Sequence, residues 1–467
     1  MKITVAQIKY KTGDFSYNLE NIIKHLNQNS DLIVFPQVDI EEIGGKDLIL
    51  DAQCRQAQID FYQNLAEKSF NQNILVGDVL IRDGKVEVSE EGYFDISGER
   101  VFVSDTFVED IECDTYILAK NRYYAMNTYR DFVDNIQPNS NFIFVSSVGI
   151  SDADVYSGGS FAKNSDNELV LQMGLCSEEV ETVDFSRVIE LEEEPLEKQI
   201  IDVTTFALRE YCENIGVTKV VLGLSGGIDS ALTAALAVRA LGSENVLGIL
   251  MPSMFSSEGS VTDSLKLAKN LGIKTVTEPI KSLFDTFLDG RERLHDLAEE
   301  NLQARLRGLI LMFYSNRDGY LLLSTGNKSE SAMGFGTLYG DLAGGYNMIC
   351  DLTKTNVYKV SNYLNKDGEI IPQAIIDKAP SAELHPNQKD SDRLPDYAVL
   401  DDIIEMYLEQ NIPVDEICKK YDRKTVEEVV RKIYRMQFKR YQGCLGVRLT
   451  ERAFIGGTNI PVVQRFY

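Results

Sequence analysis

The chain has 467 residues, with 47 Lys plus Arg against 72 Asp plus Glu, three His, seven Cys and no Trp. At about 100 to 200 residues per domain this length predicts two or three domains, and a content 44% apolar and 25% charged excludes an overall disordered, collagen-like or coiled-coil chain. The formal charge of −25 is uneven, since residues 1–196 carry 15 basic and 36 acidic side chains and residues 197–467 carry 32 and 36. Over a Debye length of about 8 Å the first part repels polyanions. Nucleic acid and anionic membranes are thereby excluded as its partners, and any small anionic ligand is left to the second part.

The opening run Ile3-Thr4-Val5-Ala6-Gln7-Ile8 predicts a strand, residues 18–27 a helix, and Asp31-Leu32-Ile33-Val34-Phe35-Pro36 a second strand, the order of a layered α/β domain. Short apolar runs at Ile74-Leu75-Val76-Gly77, Thr115-Tyr116-Ile117-Leu118-Ala119 and Phe142-Ile143-Phe144-Val145 continue that domain to about residue 185. Residues 186–197, acidic and interrupted by Pro195, predict a solvated linker. From residue 198 a helix to about 215 leads to Val220-Val221-Leu222-Gly223-Leu224, a Gly-rich loop and an apolar helix over 230–241. Val246-Leu247-Gly248-Ile249-Leu250-Met251, a helix near 259–271, Lys274-Thr275-Val276, a long helix near 298–315 and Tyr320-Leu321-Leu322-Leu323-Ser324 follow. Such alternation predicts a parallel sheet covered on both faces, with ligands at the carboxyl ends of its strands. The tail from about 398 reads as helices followed by an extended end. No apolar run reaches the roughly 20 residues of a membrane span, and the mixed start does not read as a signal peptide, so the cytoplasm is the expected location. Seven cysteines without a C-x-x-C pair exclude a zinc ribbon and argue for core thiols. His295 and His385 fit no nucleophile or metal arrangement.

The sharpest feature is Leu224-Ser225-Gly226-Gly227-Ile228-Asp229-Ser230 between strand and helix. Paired glycines let backbone N–H groups converge, and two hydroxyls add donors at a positive helix end, which makes a pyrophosphate cradle. The loop lacks the G-x-x-x-x-G-K-[ST] spacing of Walker-type phosphoryl transfer. A carboxylate at Asp229 beside bound phosphates requires a cation such as Mg²⁺ between them.

This loop resembles the signature of pyrophosphatase-loop (PP-loop) enzymes, which cleave ATP between its α and β phosphates. Met251-Pro252-Ser253, Glu300-Asn301 through Arg307-Gly308, Ser324-Thr325-Gly326-Asn327-Lys328-Ser329-Glu330, Leu338-Tyr339-Gly340-Asp341, Asp351-Leu352-Thr353-Lys354-Thr355, Pro380-Ser381-Ala382-Glu383-Leu384 and Gln437-Phe438-Lys439-Arg440 resemble the NAD⁺ synthetase family in order. GMP and asparagine synthetases and tRNA thiolation enzymes share the loop but not these later blocks. The resemblance implies a Rossmann-like nucleotide α-hydrolase domain over 198–467 with a helical tail. It implies ATP- and Mg²⁺-dependent adenylation of deamido-NAD⁺, then displacement of AMP by ammonia. By similarity, residues 223–230 (Gly223, Leu224, Ser225, Gly226, Gly227, Ile228, Asp229, Ser230) with Met251, Thr325, Lys354 and Ser381 bind ATP, and Asp229 and Glu330 hold Mg²⁺. Asn301, Glu330 and Lys439 line the deamido-NAD⁺ site, Lys354 meets the phosphates, and Asp341 serves a second Mg²⁺ or the incoming ammonia. Arg305 and Arg307 are either phosphate forks or helix-surface charges. Family members pair through this domain, so a homodimer or larger assembly is implied.

Residues 1–185 resemble, through Val5-Ala6-Gln7, Leu32-Ile33-Val34-Phe35-Pro36, Gly92-Tyr93-Phe94-Asp95 and Gly158-Gly159-Ser160-Phe161, the nitrilase-like glutaminase domain of glutamine-dependent members. That implies an α-β-β-α sandwich, shortened by several dozen residues. The family's Glu base, Lys and Cys nucleophile fall on Gln37, Lys85 and Ser104. An amide cannot take a proton from a thiol, and a hydroxyl without a base is a poor nucleophile. The expectation is a decayed amidase beside an ammonia-dependent synthetase, with Cys113 the alternative nucleophile; the alternative function is a glutamine-hydrolysing synthetase with an unrecognised or separate glutaminase, and the second alternative a non-catalytic nucleotide-binding scaffold.

Overall fold

The computed structural model describes all residues except 27, 28, 70, 71, 295, 387 and 467. The first strand is Ile3–Gln7, every residue buried. It pairs in parallel with Leu32–Phe35 and antiparallel with Glu179–Thr182. The sheet continues through Ile74–Val76, Val79–Arg82 and Lys85–Val88. A second six-stranded sheet runs Leu169–Gln172, Phe161–Lys163, Asn141–Val145, Thr115–Ala119, Glu99–Ser104 and Tyr93–Ile96. Alternate side chains leave opposite faces of a strand, which sorts the core into layers. Ile3, Val5, Leu32 and Val34 join Val101, Ile117 and Ile143 of the other sheet in one cluster. Ala6, Ile33 and Phe35 instead meet Phe15 and Ile22 of helix Phe15–Lys24 and Phe61 and Leu65 of helix Ala52–Lys68. On the far side Tyr116, Phe142 and Phe144 pack with Tyr129 and Val133 of helix Tyr129–Asn135. The result is the expected α-β-β-α sandwich, and burial on both faces explains why these strands read as unbroken apolar runs.

Two compact units are present, Met1–Val203 and Thr204–Tyr467, the division falling within helix Leu196–Asn214. The acidic segment expected as a solvated linker is bound to the first unit instead. The Glu192 backbone exchanges two hydrogen bonds with the Gln172 side chain, Arg130 pairs with Glu193 at 2.7 Å, and Ile189 and Leu191 pack on the aromatic cluster. Its last two positions enter the helix, because the Pro195 carbonyl accepts from Lys198 and Gln199 N–H. The first predicted helix lies earlier than expected, capped by the Asp14 side chain, and its expected end, Asn27, lies outside the described residues.

In the second unit five parallel strands are ordered Lys274–Thr277, Val246–Leu250, Val220–Gly223, Leu321–Ser324, Tyr346–Asn347. Chain order reverses at Val220–Gly223, so the crevice between its carboxyl end and that of Leu321–Ser324 is the switch point where such sheets take ligands. Helices Tyr397–Ile404, Val414–Ile417 and Arg423–Arg435 close a separate apolar cluster over Ala332 and Met333 of helix Lys328–Met333. No helix among the described residues is long and apolar enough to cross a membrane.

Candidate active site

Strand Val220–Gly223 delivers the chain to the switch point, and helix Ile228–Leu241 leaves it with Gly227 as its N-cap. Between them Gly226 has φ +75°, and a Cβ there would lie 2.6 Å from the Ser260 carbonyl oxygen, so only glycine fits without strain. Ser225 Oγ accepts from Gly227 N–H at 3.2 Å and lies 3.0 Å from Ser230 Oγ, which in turn donates to the Gly227 carbonyl. The loop is thus braced by its own hydroxyls at the positive end of a 14-residue helix.

A cavity of about 530 Å³ opens at this loop. It gathers nearly every residue that the sequence singled out in the second unit: Gly223, Leu224, Ser225, Gly227, Ile228, Asp229, Ser230, Met251, Asn301, Thr325, Glu330, Asp341, Lys354, Ser381 and Lys439. Gly226 backs onto Ser260 and is not among the lining residues. Arg307 lines the cavity, donates to the Met251 carbonyl and is lowered to about 10 by burial, whereas Arg305 lies off it, bonded to the Leu338 carbonyl.

At the centre Lys354, 2% exposed, pairs with Asp229 Oδ2 and stands 3.8 Å from Glu330 Oε1. Burial opposes its charge, but Asp229 and Glu330 prevail and hold it well above the ordinary lysine range. Asn327 Nδ2 donates to Asp229 Oδ1 at 2.9 Å. The same residue caps helix Lys328–Met333 through a capping box, its N–H donating to Glu330 Oε2 and its side chain accepting from Glu330 N–H. Glu330 is pushed up to about 8, by burial first and by Asp229 second. Two half-buried carboxylates sharing one ammonium are short of positive charge, and oxygen donors suit a hard cation. Among the described residues no three His, Cys, Asp or Glu side chains are arranged to hold a metal. A pair fits Mg²⁺ all the same, because that ion keeps several waters and takes further ligands from substrate phosphates.

The remaining predicted contacts are already engaged. Lys439 Nζ donates to the Gly334 and Gly336 carbonyls at 2.8 and 2.7 Å, so it fixes the loop between them, and burial lowers it. Asn301 accepts from Thr337 Oγ1, and Asp341, raised by burial, accepts from Thr337 N–H. Ser381 Oγ donates to the Gln388 carbonyl. His385 reaches only to 4.0 Å from Glu300, itself bound by Arg393, and His295 lies outside the described residues. The sequence reading missed Asn327 as a partner of Asp229, for which the N-x-x-E spacing was the available signal. It also missed Asp390 and Tyr397, and the clasp in which Glu383 takes Lys378, Ser257 and Ser260.

In the first unit Gln37 follows strand Leu32–Phe35, is buried, and is spent locally. Its Oε1 accepts from Val38 N–H, its Nε2 donates to Asp78 at 3.2 Å, and Gly77 has no room for a Cβ against it. Ser104 ends strand Glu99–Ser104 and bonds Tyr116 Oη and the Thr106 carbonyl. Lys85 opens an edge strand and is exposed. None of the hydrogen bonds described links Gln37, Lys85 and Ser104 to one another. Cys113 packs in the aromatic cluster beside Ser140 Oγ, and burial pushes its thiol up, away from the thiolate.

The NAD synthase family matches residues 200–443. A glutamine-dependent NAD⁺ synthetase of Thermotoga maritima is 33% identical, covering 100% of this chain and 99% of that protein, and one of Synechocystis sp. is 33% identical with the same coverage. The Thermotoga alignment runs over 578 positions against 467 residues here, so more than a hundred of its positions have no counterpart in this chain. Among solved structures, the glutamine-dependent NAD⁺ synthetase of Acinetobacter baumannii with ADP superposes with a TM-score of 0.72 at 28% identity, covering 99% of this chain and 98% of that one. The corresponding protein of Cytophaga hutchinsonii shares the fold, with a TM-score of 0.83 at 15% identity over 99% and 98% of the two chains.

Proposed function

Because the chain belongs to the glutamine-dependent NAD⁺ synthetase family, a family of C–N bond-forming ligases, we propose that it adenylates deamido-NAD⁺ with ATP and amidates the adenylate with free ammonia. The observation that carries this is the meeting of the braced loop 224–230 with Asp229, Glu330 and Lys354 in one cavity at the switch point. The nicotinate carboxylate attacks the α-phosphorus and pyrophosphate leaves into the loop, where the Gly227 end of helix Ile228–Leu241 and the Ser225 and Ser230 hydroxyls receive it. Asp229 and Glu330 would hold Mg²⁺, which would neutralise phosphate charge there. Lys354 faces the phosphates. Asn301, Glu330 and the loop fixed by Lys439 orient the dinucleotide, and Asp341 serves the incoming ammonia, which displaces AMP. Alignment and charge neutralisation supply the catalysis. Residues 1–185 act as a decayed amidase and residues 198–467 as the synthetase. The active form is a homodimer or larger assembly.

Free ammonia is favoured by the first unit: an amide at Gln37, Ser104 committed to Tyr116 and Thr106, and Lys85 in solvent. Glutamine as donor is the second reading, and what favours it is that the full-length relatives are named glutamine-dependent. Product formation from ATP, Mg²⁺ and deamido-NAD⁺, with ammonium or glutamine as sole donor, separates the two. Turnover with ammonium and none with glutamine is expected. Equal turnover with glutamine, unchanged in Ser104→Ala, would transfer the nitrogen supply to residues elsewhere or to a partner.

A further inference from the structure

Asp390 stands on the irregular segment between Lys378 and Tyr397 and lines the same cavity as Asp229, Glu330 and Lys354. It is only 5% exposed. Its Oδ2 accepts from Tyr397 Oη at 2.9 Å, while its Oδ1, fully enclosed, has no hydrogen-bond partner. A buried carboxylate oxygen without a donor costs free energy on the order of 1–3 kcal/mol or more, so its persistence in the cavity wall points to a cation that reaches it in another state. The candidate is Lys354, the cation that acts on Asp390, whose Nζ lies 5.3 Å from the centre of the same Tyr397 ring and is attracted by Asp390 as well as by Asp229 and Glu330.

The Lys354 ammonium is seated on Asp229 and Glu330, the two carboxylates that would take the metal, while Asp390 acts on it from farther off. A divalent cation at Asp229 and Glu330 would favour the ionised form of both, but Asp229 can ligate it fully only if Lys354 gives up Asp229. We infer that Lys354 is a resident cation guarding the Asp229–Glu330 pair, and that Asp390 Oδ1 is the acceptor that takes the Lys354 ammonium when metal arrives. Asp390 is then a positioning residue: it acts through Lys354, leaving Asp229 free and the lysine near the phosphates. The inference rests on the reading of Asp229 and Glu330 as the metal pair.

The test is binding of Mn²⁺ to the full chain without nucleotide, read from the free-ion electron paramagnetic resonance signal. Removing the competing ammonium in Lys354→Met should tighten Mn²⁺ about tenfold or more. Asp390→Asn should weaken it about tenfold in the wild-type background and leave it unchanged in the Lys354→Met background, where no lysine needs a new seat. Equal weakening in both backgrounds would make Asp390 a direct ligand and overturn the relay. So would unchanged affinity in Lys354→Met with normal binding by wild type. No Mn²⁺ binding by any of the four proteins, either alone or beyond that of a non-hydrolysable ATP analogue added to supply phosphate ligands, would remove the metal pair itself, and the relay with it. Circular dichroism checks folding, with Lys354→Gln in place of the Met variant if that variant does not fold.

Discussion

Replacing Lys328 by Met perturbs a deeply buried charge cluster of the second unit. Lys328 is 1% exposed and lies at the start of the helix that carries Glu330. Its Nζ pairs with Asp351 at 2.7 Å and donates to Thr450 Oγ1 at 2.8 Å and to Glu409 at 2.5 Å. Asp351, 2% exposed, also accepts from the Leu449 and Thr450 N–H groups, and Glu409 from Arg452 N–H, so the cluster fastens the C-terminal tail to this helix. Methionine fills the stem volume and leaves no cavity. What it removes is the charge, and an Asp351 carboxylate enclosed without its partner costs about 3–5 kcal/mol. Part of that returns when Asp351 is neutralised too, because a buried pair pays desolvation for both ions. Lys328→Met should therefore shift the urea transition of the second unit by that amount, with Lys328→Met plus Asp351→Asn recovering at least ~1 kcal/mol. Fluorescence and circular dichroism should be followed together, since two units need not unfold as one. A loss below ~1 kcal/mol for the single variant would refute the premise that the cluster is shielded from water.

Asp39 provides a pH-dependent case. Burial lifts its carboxyl from 3.8 to about 6, so the folded state holds its proton more tightly than the unfolded chain. The resulting stability is present below the unfolded value and lost as pH rises through the folded one. Relative to Asp39→Asn, the wild type should lose about 3 kcal/mol in urea titrations between roughly pH 4 and pH 6.5, and parallel curves for the two proteins would contradict the assignment. Gly226→Ala forces a Cβ against the Ser260 carbonyl at positive φ, which should cost about 1–3 kcal/mol and abolish the thermal upshift given by ATP with Mg²⁺; an unaltered upshift would show that the loop relaxes freely. Asn327→Ala removes both the helix cap and the donor to Asp229, for an expected loss of about 1–2 kcal/mol. Asn327→Ser, which keeps the cap but does not reach Asp229, should regain most of the stability while pyrophosphate release stays slow. Equal activity of the Ser variant and wild type would reduce Asn327 to a cap.

What could be read from the sequence followed how far the physics had to act along the chain. The strands of both units were legible because burial on two faces makes them continuous apolar runs, and the loop 224–230 because its chemistry is contained in seven consecutive residues. Charge pairing is not local. Lys354 meets Asp229 across 125 positions, Lys439 meets the Gly334 carbonyl across 105, and Lys328 meets Glu409 across 81. A resemblance assigned Lys354 and Lys439 to substrate because their neighbours in sequence match a motif, yet in the folded chain each is first a partner for protein oxygens. Lys328 was read only as part of a motif although it ties down the tail. Asp390 was missed for the same reason, since nothing within its irregular segment marks a carboxylate oxygen that is enclosed without a donor. The acidic stretch before Pro195 was misread in the opposite direction: its charge suggested solvent, while Ile189, Leu191 and the Glu192 backbone bind it to the first unit. Motifs therefore locate this site. Which side chains are free to act in it is decided by ion pairs that close only when the sheet and the tail have come together.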